Sequence, residues 1–181
     1  GTNTLPVWTS VGTGQTACGT CHASPPPAPH PANPDCHRCH PDTVTAAGAI
    51  DVAGGRHVNG TVDVGPLGCS SCHGSEANPA PPVSTAGESA TTAVAVGAHQ
   101  AHVTTGTIRA ALACSACHAV PSTALHANGT VDLVWGPLAG PTTWSRGAAT
   151  CSTYCHGATL AAGGTNTLPV WTSVGTGQTA C

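Results

Sequence analysis

Five short cysteine motifs constrain this chain more than any other feature. They are C-G-T-C-H from Cys18, C-H-R-C-H from Cys36, C-S-S-C-H from Cys69, C-S-A-C-H from Cys114 and C-S-T-Y-C-H from Cys151. C-x-x-C-H is the attachment signature of c-type haem, in which two thiols form thioethers and the next histidine coordinates the iron. The fifth motif has one extra residue between its cysteines, and we interpret it as a looser variant of the same clamp.

The motifs assign almost every cysteine a role. The predicted thioether anchors are Cys18, Cys21, Cys36, Cys39, Cys69, Cys72, Cys114, Cys117, Cys151 and Cys155, and the predicted proximal iron ligands are His22, His40, His73, His118 and His156. The alternative is a disulfide or zinc framework. Zinc sites would pair C-x-x-C units with one another and would not need a histidine after each. Disulfides would not need that histidine either, so the pattern favours haem c.

Six histidines lie outside the motif-terminal positions, one more than the five haems they could serve. Met is absent, so His–Met ligation is impossible within this sequence and two imidazoles per iron are predicted, with lower reduction potentials than His–Met ligation gives. The predicted distal ligands are His30, His57, His99, His102 and His126. His37 lies between Cys36 and Cys39, and we predict that it contacts solvent or a haem propionate.

Spacing suggests how some distal histidines are allocated. His30 follows the first motif across the stiff P-P-P-A-P segment, which favours a chain that turns back over its own haem. The segments HVNGTVDVGPLG (57–68) and HANGTVDLVWGPLAG (126–140) match apart from small insertions and make His57 and His126 equivalent, so a two-haem module is duplicated. His99 and His102 are three residues apart and share a face of a helical turn. We expect one of them to serve the third haem and the other the fourth or fifth.

Composition agrees with a core that is not made of side chains. Only 6% of residues are charged, Phe is absent, and there are one Tyr and four Trp among 181 residues. A covalently held macrocycle would supply the missing apolar area. The net charge of −3 without a Lys/Arg run argues against nucleic acid or an anionic membrane surface as a partner. No apolar run is long enough for a membrane span.

An internal repeat sets the domain organisation. Residues 1–18 recur without change as residues 164–181, an offset of 163 residues. We therefore expect residues 1–163 to be one repeat unit with five haems and 164–181 to begin the next unit of a longer tandem array. Cys181 is then the first anchor of the next repeat's first haem.

The predicted fold class is mostly loop, with short helices and a few β-bridges organised around a stacked chain of haems. The best helix candidate is residues 92–117, where Ala and Leu accumulate. The two Asn-Gly pairs predict turns, possible short hairpins or β-bridges. The segment L-P-V-W-T-S-V-G-T-G, which crosses the copy boundary, is expected to be a short extended stretch, with Trp8 or Trp171 available to pack on a haem or a neighbouring copy.

With its C-x-x-C-H motifs and the elements HVNGTVDV, CSSCHG and GAHQAH, the chain resembles multihaem c-type cytochromes of metal-reducing, Geobacter-like bacteria. It is also similar to the surface cytochromes that polymerise into filaments, or nanowires. The resemblance implies closely stacked bis-histidine haems, export through the periplasm to the cell surface, and extracellular electron transfer. The implied partners are further copies of the chain and extracellular electron acceptors. The identical internal repeat departs from the usual filament and suggests a covalent array.

The leading hypothesis is therefore an electron-transfer protein, not an enzyme. One alternative is a multihaem reductase, which needs a haem with an open site and nearby acid–base or cationic groups. Histidines suffice for every haem, Lys is absent, and the four arginines form no cluster in the sequence. A periplasmic electron shuttle is a third reading that shares the same chemistry and differs in length and location.

Overall fold

The computed structural model describes residues 1–7, 9–10, 19–65, 68–75, 77–122, 126–162, 164–175 and 177–178. Within these residues the chain is mostly loop, as the sequence predicted. Its regular elements are the helices α1 (Cys69–Cys72) and α2 (His99–Val103), the strands β1 (Thr143–Ser145) and β2 (Thr150–Ser152), and the 3-10 turns Cys36–Arg38, Cys114–Ala116 and Tyr154–His156. Each of the three 3-10 turns, like α1, falls within a cysteine motif.

The chain divides into two compact units. The first unit comprises Gly1–Leu67, Thr85–Gly87 and Leu125–Thr130, and the second comprises Gly68–Ser84, Glu88–Ala124 and Val131–Cys181. Residues 164–181, which repeat the first eighteen, therefore belong to the second unit.

A two-stranded antiparallel sheet lies in the second unit. β1 pairs with β2 in a register that sets Trp144 opposite Cys151, and threonine and tryptophan are residues that favour strands. The turn between the strands contains Ala149, whose φ of 50° is unusual for a residue with a Cβ. Val170 adds an antiparallel bridge to Thr150 on the other side of β2.

The long helix predicted over 92–117 is wrong. The structure forms only the five-residue helix α2, and Thr104 after it is extended, with ψ of 136°. The sequence continues Thr-Thr-Gly-Thr, and β-branched residues and glycine are poor helix formers. A glycine with φ of 43°, Gly97, lies two residues before α2 and limits the helix on that side.

Little of the chain is buried by protein. Among the described residues the buried apolar side chains are Val44, Ala80, Val96, Ala139 and Ala149. Large apolar side chains lie in solvent instead: Val58 is 91% exposed and Ile108 is 74% exposed. No helix in the described ranges has the length and apolarity needed to cross a membrane.

Both Asn-Gly segments form the turns that were predicted. The Asn59 side-chain oxygen accepts a hydrogen bond from the Thr61 N–H at 2.8 Å, and Asn128 accepts one from Thr130 at 3.0 Å. Gly60 has φ of 85°, and its counterpart in the second segment has φ of 77°, a conformation that glycine adopts without strain.

After each turn the chain returns to the preceding cysteine motif. The Gly65 N–H donates to the Cys39 carbonyl at 3.3 Å, and the Val134 N–H donates to the Cys117 carbonyl at 3.1 Å. In both segments the donor is the second residue after the aspartate, and the acceptor is the second cysteine of a motif. The sequence duplication is therefore also a structural duplication.

Candidate haem-binding sites

Three of the motifs share one backbone geometry. In each, the histidine N–H donates to the carbonyl of the first cysteine. The distances are 2.9 Å for His40 to Cys36, 3.0 Å for His73 to Cys69 and 2.9 Å for His118 to Cys114. A single helical turn places residues three apart on one side. The two thiols of a motif therefore face the same side, as two thioether bonds to one macrocycle require.

The fifth motif absorbs its extra residue by a different construction. Cys151 lies in β2, and the turn begins after it, with the His156 N–H donating to the Thr153 carbonyl at 3.2 Å. Gly157 ends the turn in the left-handed conformation, with φ of 76°. Counted from the motif histidine, the helical turn thus starts two residues later than in the other motifs. The first thiol is carried by a strand.

Each of the five motifs contains at least one free thiol, so none of the C-x-x-C pairs is a disulfide; the free thiols include Cys21, Cys36, Cys69, Cys114 and Cys155.

Two thiols have shifted acidities. Burial raises the pKa of the Cys117 and Cys151 thiols, and neighbouring thiols of the fourth and fifth motifs raise each pKa further. Redox-active C-x-x-C sites depend on a lowered thiol pKa. These thiols have the opposite shift, and the Cys155 and Cys117 thiols each raise the pKa of a thiol in the other motif.

Four pairs of histidine rings lie at nearly the same separation. The ring-centre distances are 6.4 Å for His22 and His57, 6.3 Å for His30 and His40, 6.2 Å for His99 and His118, and 6.3 Å for His102 and His156. Each pair joins one motif histidine to one histidine outside the motifs. The first two pairs lie in the first unit and the other two in the second.

This separation fits two imidazoles on opposite sides of one metal ion. A metal–imidazole bond is about 2.0 Å long and a ring nitrogen lies about 1.1 Å from the ring centre, so the two ring centres should be about 6.2 Å apart. The rings of His30 and His40 are tilted by only 5° and those of His99 and His118 by 17°. Parallel rings in direct contact would lie much closer together.

Hydrogen bonds fix which ring nitrogen faces the gap. The Nδ1–H groups of His22, His30, His40, His99 and His102 donate to backbone carbonyls at 2.6 to 2.8 Å. A carbonyl oxygen can only accept, so Nδ1 carries the proton and Nε2 keeps its lone pair. Metal-ligating histidines typically have this arrangement.

The fifth motif faces a cleft of about 390 Å³ in the second unit. Cys151, Cys155 and His156 line it together with His102. Its other walls are largely apolar and include Ile108, Leu112, Tyr154, Leu160, Val170 and Val174. Ligand pockets typically measure about 300 to 1,000 Å³ with apolar walls and a few polar groups. Thiols, facing imidazoles and apolar walls in one cleft are the set that a covalent haem needs.

Helix α2 presents two of the histidines, and side chains on either side hold it. The Arg109 guanidinium donates to the carbonyls of Ala101 and His102, the latter at 2.7 Å. On another face, the Gln100 side chain donates to the carbonyls of Ala80 and Pro81 at 3.2 and 3.1 Å. The role of Arg109 was not apparent from the sequence, where the arginines only seemed scattered.

Burial also favours the ligating form of two histidines. Burial lowers the pKa of His99, and the neighbouring His118 and His102 lower it further, against an opposing hydrogen bond to Val96. Burial and the nearby His102 and Arg109 lower the pKa of His156. Both imidazoles therefore favour the neutral form, which is the form that binds a metal.

Two allocations made from the sequence change. His30 faces His40 of the second motif, not His22 of the first, which instead faces His57. His99 and His102 face the fourth and fifth motifs, so the expectation that one of them serves the third does not hold. Adjacent turns of one helix point to two neighbouring motifs, as their spacing indicated.

The structure also places the remaining predicted residues. His73 belongs to the second unit and His126 to the first. The His37 Nδ1–H donates to the Val44 carbonyl at 2.6 Å, which ties the second motif to the loop behind it. Cys18, Cys181 and Trp8 lie outside the described residues.

The described residues contain no group of three or more His, Cys, Asp or Glu side chains placed to hold a metal ion by themselves. Haem iron takes four ligands from its own ring and only two from protein.

Comparison of the chain with protein-family models, curated proteins and solved structures gave no match.

Proposed function

We propose that this chain binds haem c at its five cysteine motifs and carries electrons along the series. The observation that carries the proposal is the common separation of four histidine pairs, 6.2 to 6.4 Å, each joining a motif histidine to one outside the motifs. Free thiols in every motif and the apolar cleft at the fifth support it. Bound haem supplies one-electron chemistry.

The side chains then have three tasks. The thiols would hold the macrocycle covalently, and each pair of facing imidazoles would ligate one iron, so small ligands would have no open site. The backbone carbonyls that accept from Nδ1 orient the imidazoles and make them better donors. A closed coordination shell suits electron transfer and does not suit a reductase, which needs an open position.

We further propose that the chain functions in a tandem array at the cell surface. The identical segments 1–18 and 164–181 support repeated units of 163 residues. The proposed partners are other repeats of the same sequence and extracellular electron acceptors. The family resemblance is to filament-forming cytochromes of Geobacter-like bacteria, and it supplies the proposed location.

Ring orientation provides a sharp test of the ligand pairs. Two pairs are nearly parallel, at 5° and 17°, and two are strongly tilted, at 59° and 62°. Parallel imidazoles split the iron d orbitals more than crossed ones, so low-spin ferric haems of the two kinds give different electron paramagnetic resonance signals. The chain matured with haem should show both signals in comparable amounts.

Three outcomes would contradict the proposal. Mass spectrometry without covalent haem would remove the cofactor assignment. A dominant high-spin ferric spectrum would favour the reductase alternative, because it requires an open axial position. Imaging that finds only discrete particles for the full-length protein would favour a shuttle over a filament.

A further inference from the structure

The second copy of the opening eighteen residues docks against strand β2. Residues 168–173, L-P-V-W-T-S, run beside β2, with a bridge between Val170 and Thr150. The Cys151 N–H donates to the Pro169 carbonyl at 3.4 Å, and the Trp171 N–H donates to the Ala149 carbonyl at 2.7 Å. The segment thus extends the two-stranded sheet by backbone pairing.

Trp171 anchors this docked segment at the two distal histidines of α2. Its ring centre lies 4.7 Å from that of His99, edge to face, and 5.4 Å from that of His102. Its indole N–H donates to the Val94 carbonyl at 2.8 Å. A Cβ added at Gly97 would overlap the indole, so this position accepts only glycine. One tryptophan therefore packs against both imidazoles.

The same six residues occur at 5–10, where the described residues 5–7, 9 and 10 pair with no strand. Both copies form the same local turn, with the Ser10 N–H donating to Val7 and the Ser173 N–H to Val170, each at 3.0 Å. In the first copy Leu5 is 86% exposed and Val7 is 57% exposed, whereas in the second Val170 is 37% exposed and Pro169 is buried. The turn is local, and docking is an added interaction.

We propose that the L-P-V-W-T-S segment of each repeat is a docking strand for the preceding repeat, with its tryptophan seated between the two distal histidines of α2. The receptor consists of β2, the Ala149 carbonyl and the seat formed by Val94, Gly97 and α2. Its occupant is the segment of another copy of this sequence, here residues 168–173. Strand addition with one aromatic anchor is a common mode of peptide recognition.

The connection within the chain determines which copy occupies the receptor. A tethered segment has a high effective concentration, so residues 168–173 fill the receptor of their own chain. The equivalent residues 5–10 are then available to a preceding repeat. The proposal rests on the internal repeat and on contacts between amino acids, and it holds whether or not the electron-transfer function does.

Hydrogen exchange of the wild-type haem-loaded chain tests the proposal without a mutation. The two segments have the same sequence and hence the same intrinsic exchange rates, so any difference reports docking. The Trp171 amide should exchange at least about tenfold more slowly than the Trp8 amide, because Ala149 accepts its hydrogen bond. Equal rates would overturn the proposal.

Peptide binding provides the second test. Trp171→Ala should weaken the internal segment, so that a labelled peptide of residues 165–175 binds this variant about 30-fold more tightly than it binds the wild-type chain. Adding Gly97→Ala should remove the gain, because the seat is blocked. The matched control is Trp8→Ala, the same change in the other copy, which should leave peptide binding at the wild-type level.

Measuring haem content distinguishes a failure of the docking proposal from a failure of the proposed function. Covalent haem is measured in every variant, and peptide binding is compared only between chains that carry the same number of haems. A Trp171→Ala chain that keeps its haem and shows no gain in peptide binding would overturn the docking proposal while leaving the proposed function intact. A chain without covalent haem whose Trp171 amide is still protected would do the reverse.

Discussion

At the scale of residues, the histidines of α2 depend on a few specific contacts more than on a surrounding core. His99 and His102 both donate from Nδ1 to carbonyls one turn earlier, so their Nε2 atoms keep the lone pair. Arg109 closes the other end of the same short helix. A helix of five residues is not stable by itself, and these contacts therefore decide where the two imidazoles lie.

Replacing Arg109 should loosen both ligands. Arg109→Gln removes the charged donor from the carbonyls of Ala101 and His102, and we expect the free energy of unfolding to fall by about 1 to 2 kcal/mol. A high-spin fraction should appear in the ferric spectrum because the imidazoles are held less firmly. Denaturant titration and optical spectroscopy measure the two effects. Arg146→Gln, at an exposed position of the β1–β2 turn, should change neither.

Removing His102 should open one axial position. In His102→Ala one haem of the five should become high-spin and bind carbon monoxide, and added imidazole should restore the low-spin spectrum. His37→Ala provides the contrast, because it removes a hydrogen bond to Val44. It should cost about 1 kcal/mol of stability and leave every haem low-spin. A low-spin His102→Ala protein would contradict the pairing of His102 with His156.

At the scale of elements, the β1–β2 hairpin positions the fifth motif and the docking segment together. β2 carries Cys151, and the turn before it exposes the Ala149 carbonyl that accepts from Trp171. The extra residue of the fifth motif is accommodated here, since a strand can lead into the turn where the other motifs continue as one helical turn. The short hairpin therefore connects the fifth motif to the docking segment.

Ala149 offers a test of the hairpin. Its φ of 50° costs a residue with a Cβ about 1 kcal/mol, so Ala149→Gly should raise the melting temperature of the loaded protein. Ala148→Gly, in the same turn, relieves no strain from a positive φ, and glycine loses more conformational entropy than alanine on folding. Its melting temperature should therefore fall or stay unchanged. Equal changes in melting temperature for the two variants would show that Ala149 does not have a positive φ in this turn.

At the scale of the whole molecule, protein atoms bury little apolar surface. Valine and isoleucine side chains that normally stabilise a core are exposed, and several of them line the cleft of the fifth motif. We infer that haem provides the missing apolar partner in each unit. Folding and haem attachment should therefore be coupled, as they are for small metal-dependent domains.

Expression without haem attachment tests this coupling. The apoprotein should bind a hydrophobic dye, be cleaved rapidly by protease and lose its structure gradually on heating. The loaded protein should resist protease and unfold cooperatively. A cooperative thermal transition in the apoprotein would show that the polypeptide is stable by itself and would contradict the inference.

Much of the site could be predicted because it is local in sequence. A C-x-x-C-H motif closes within one helical turn, so its five residues determine its geometry. The duplicated Asn-Gly segments were equally readable, since an Asn side chain that accepts from the residue two positions later and a glycine with positive φ are local features. The prediction of a long helix over residues 92–117 was wrong because Thr-Thr-Gly-Thr ends a helix that Ala and Leu would favour.

The sequence by itself therefore determined the five cysteine motifs with their histidines, the number of histidines outside them and the repeated segment. Only the tertiary structure decided the partners, such as His30 with His40 in place of His22, and the roles of Arg109 and Trp171. The physical reason is distance along the chain. A motif folds by contacts within five residues. The facing imidazole or the anchoring indole comes from a distant part of the chain, and no local sequence pattern specifies how the intervening loops fold.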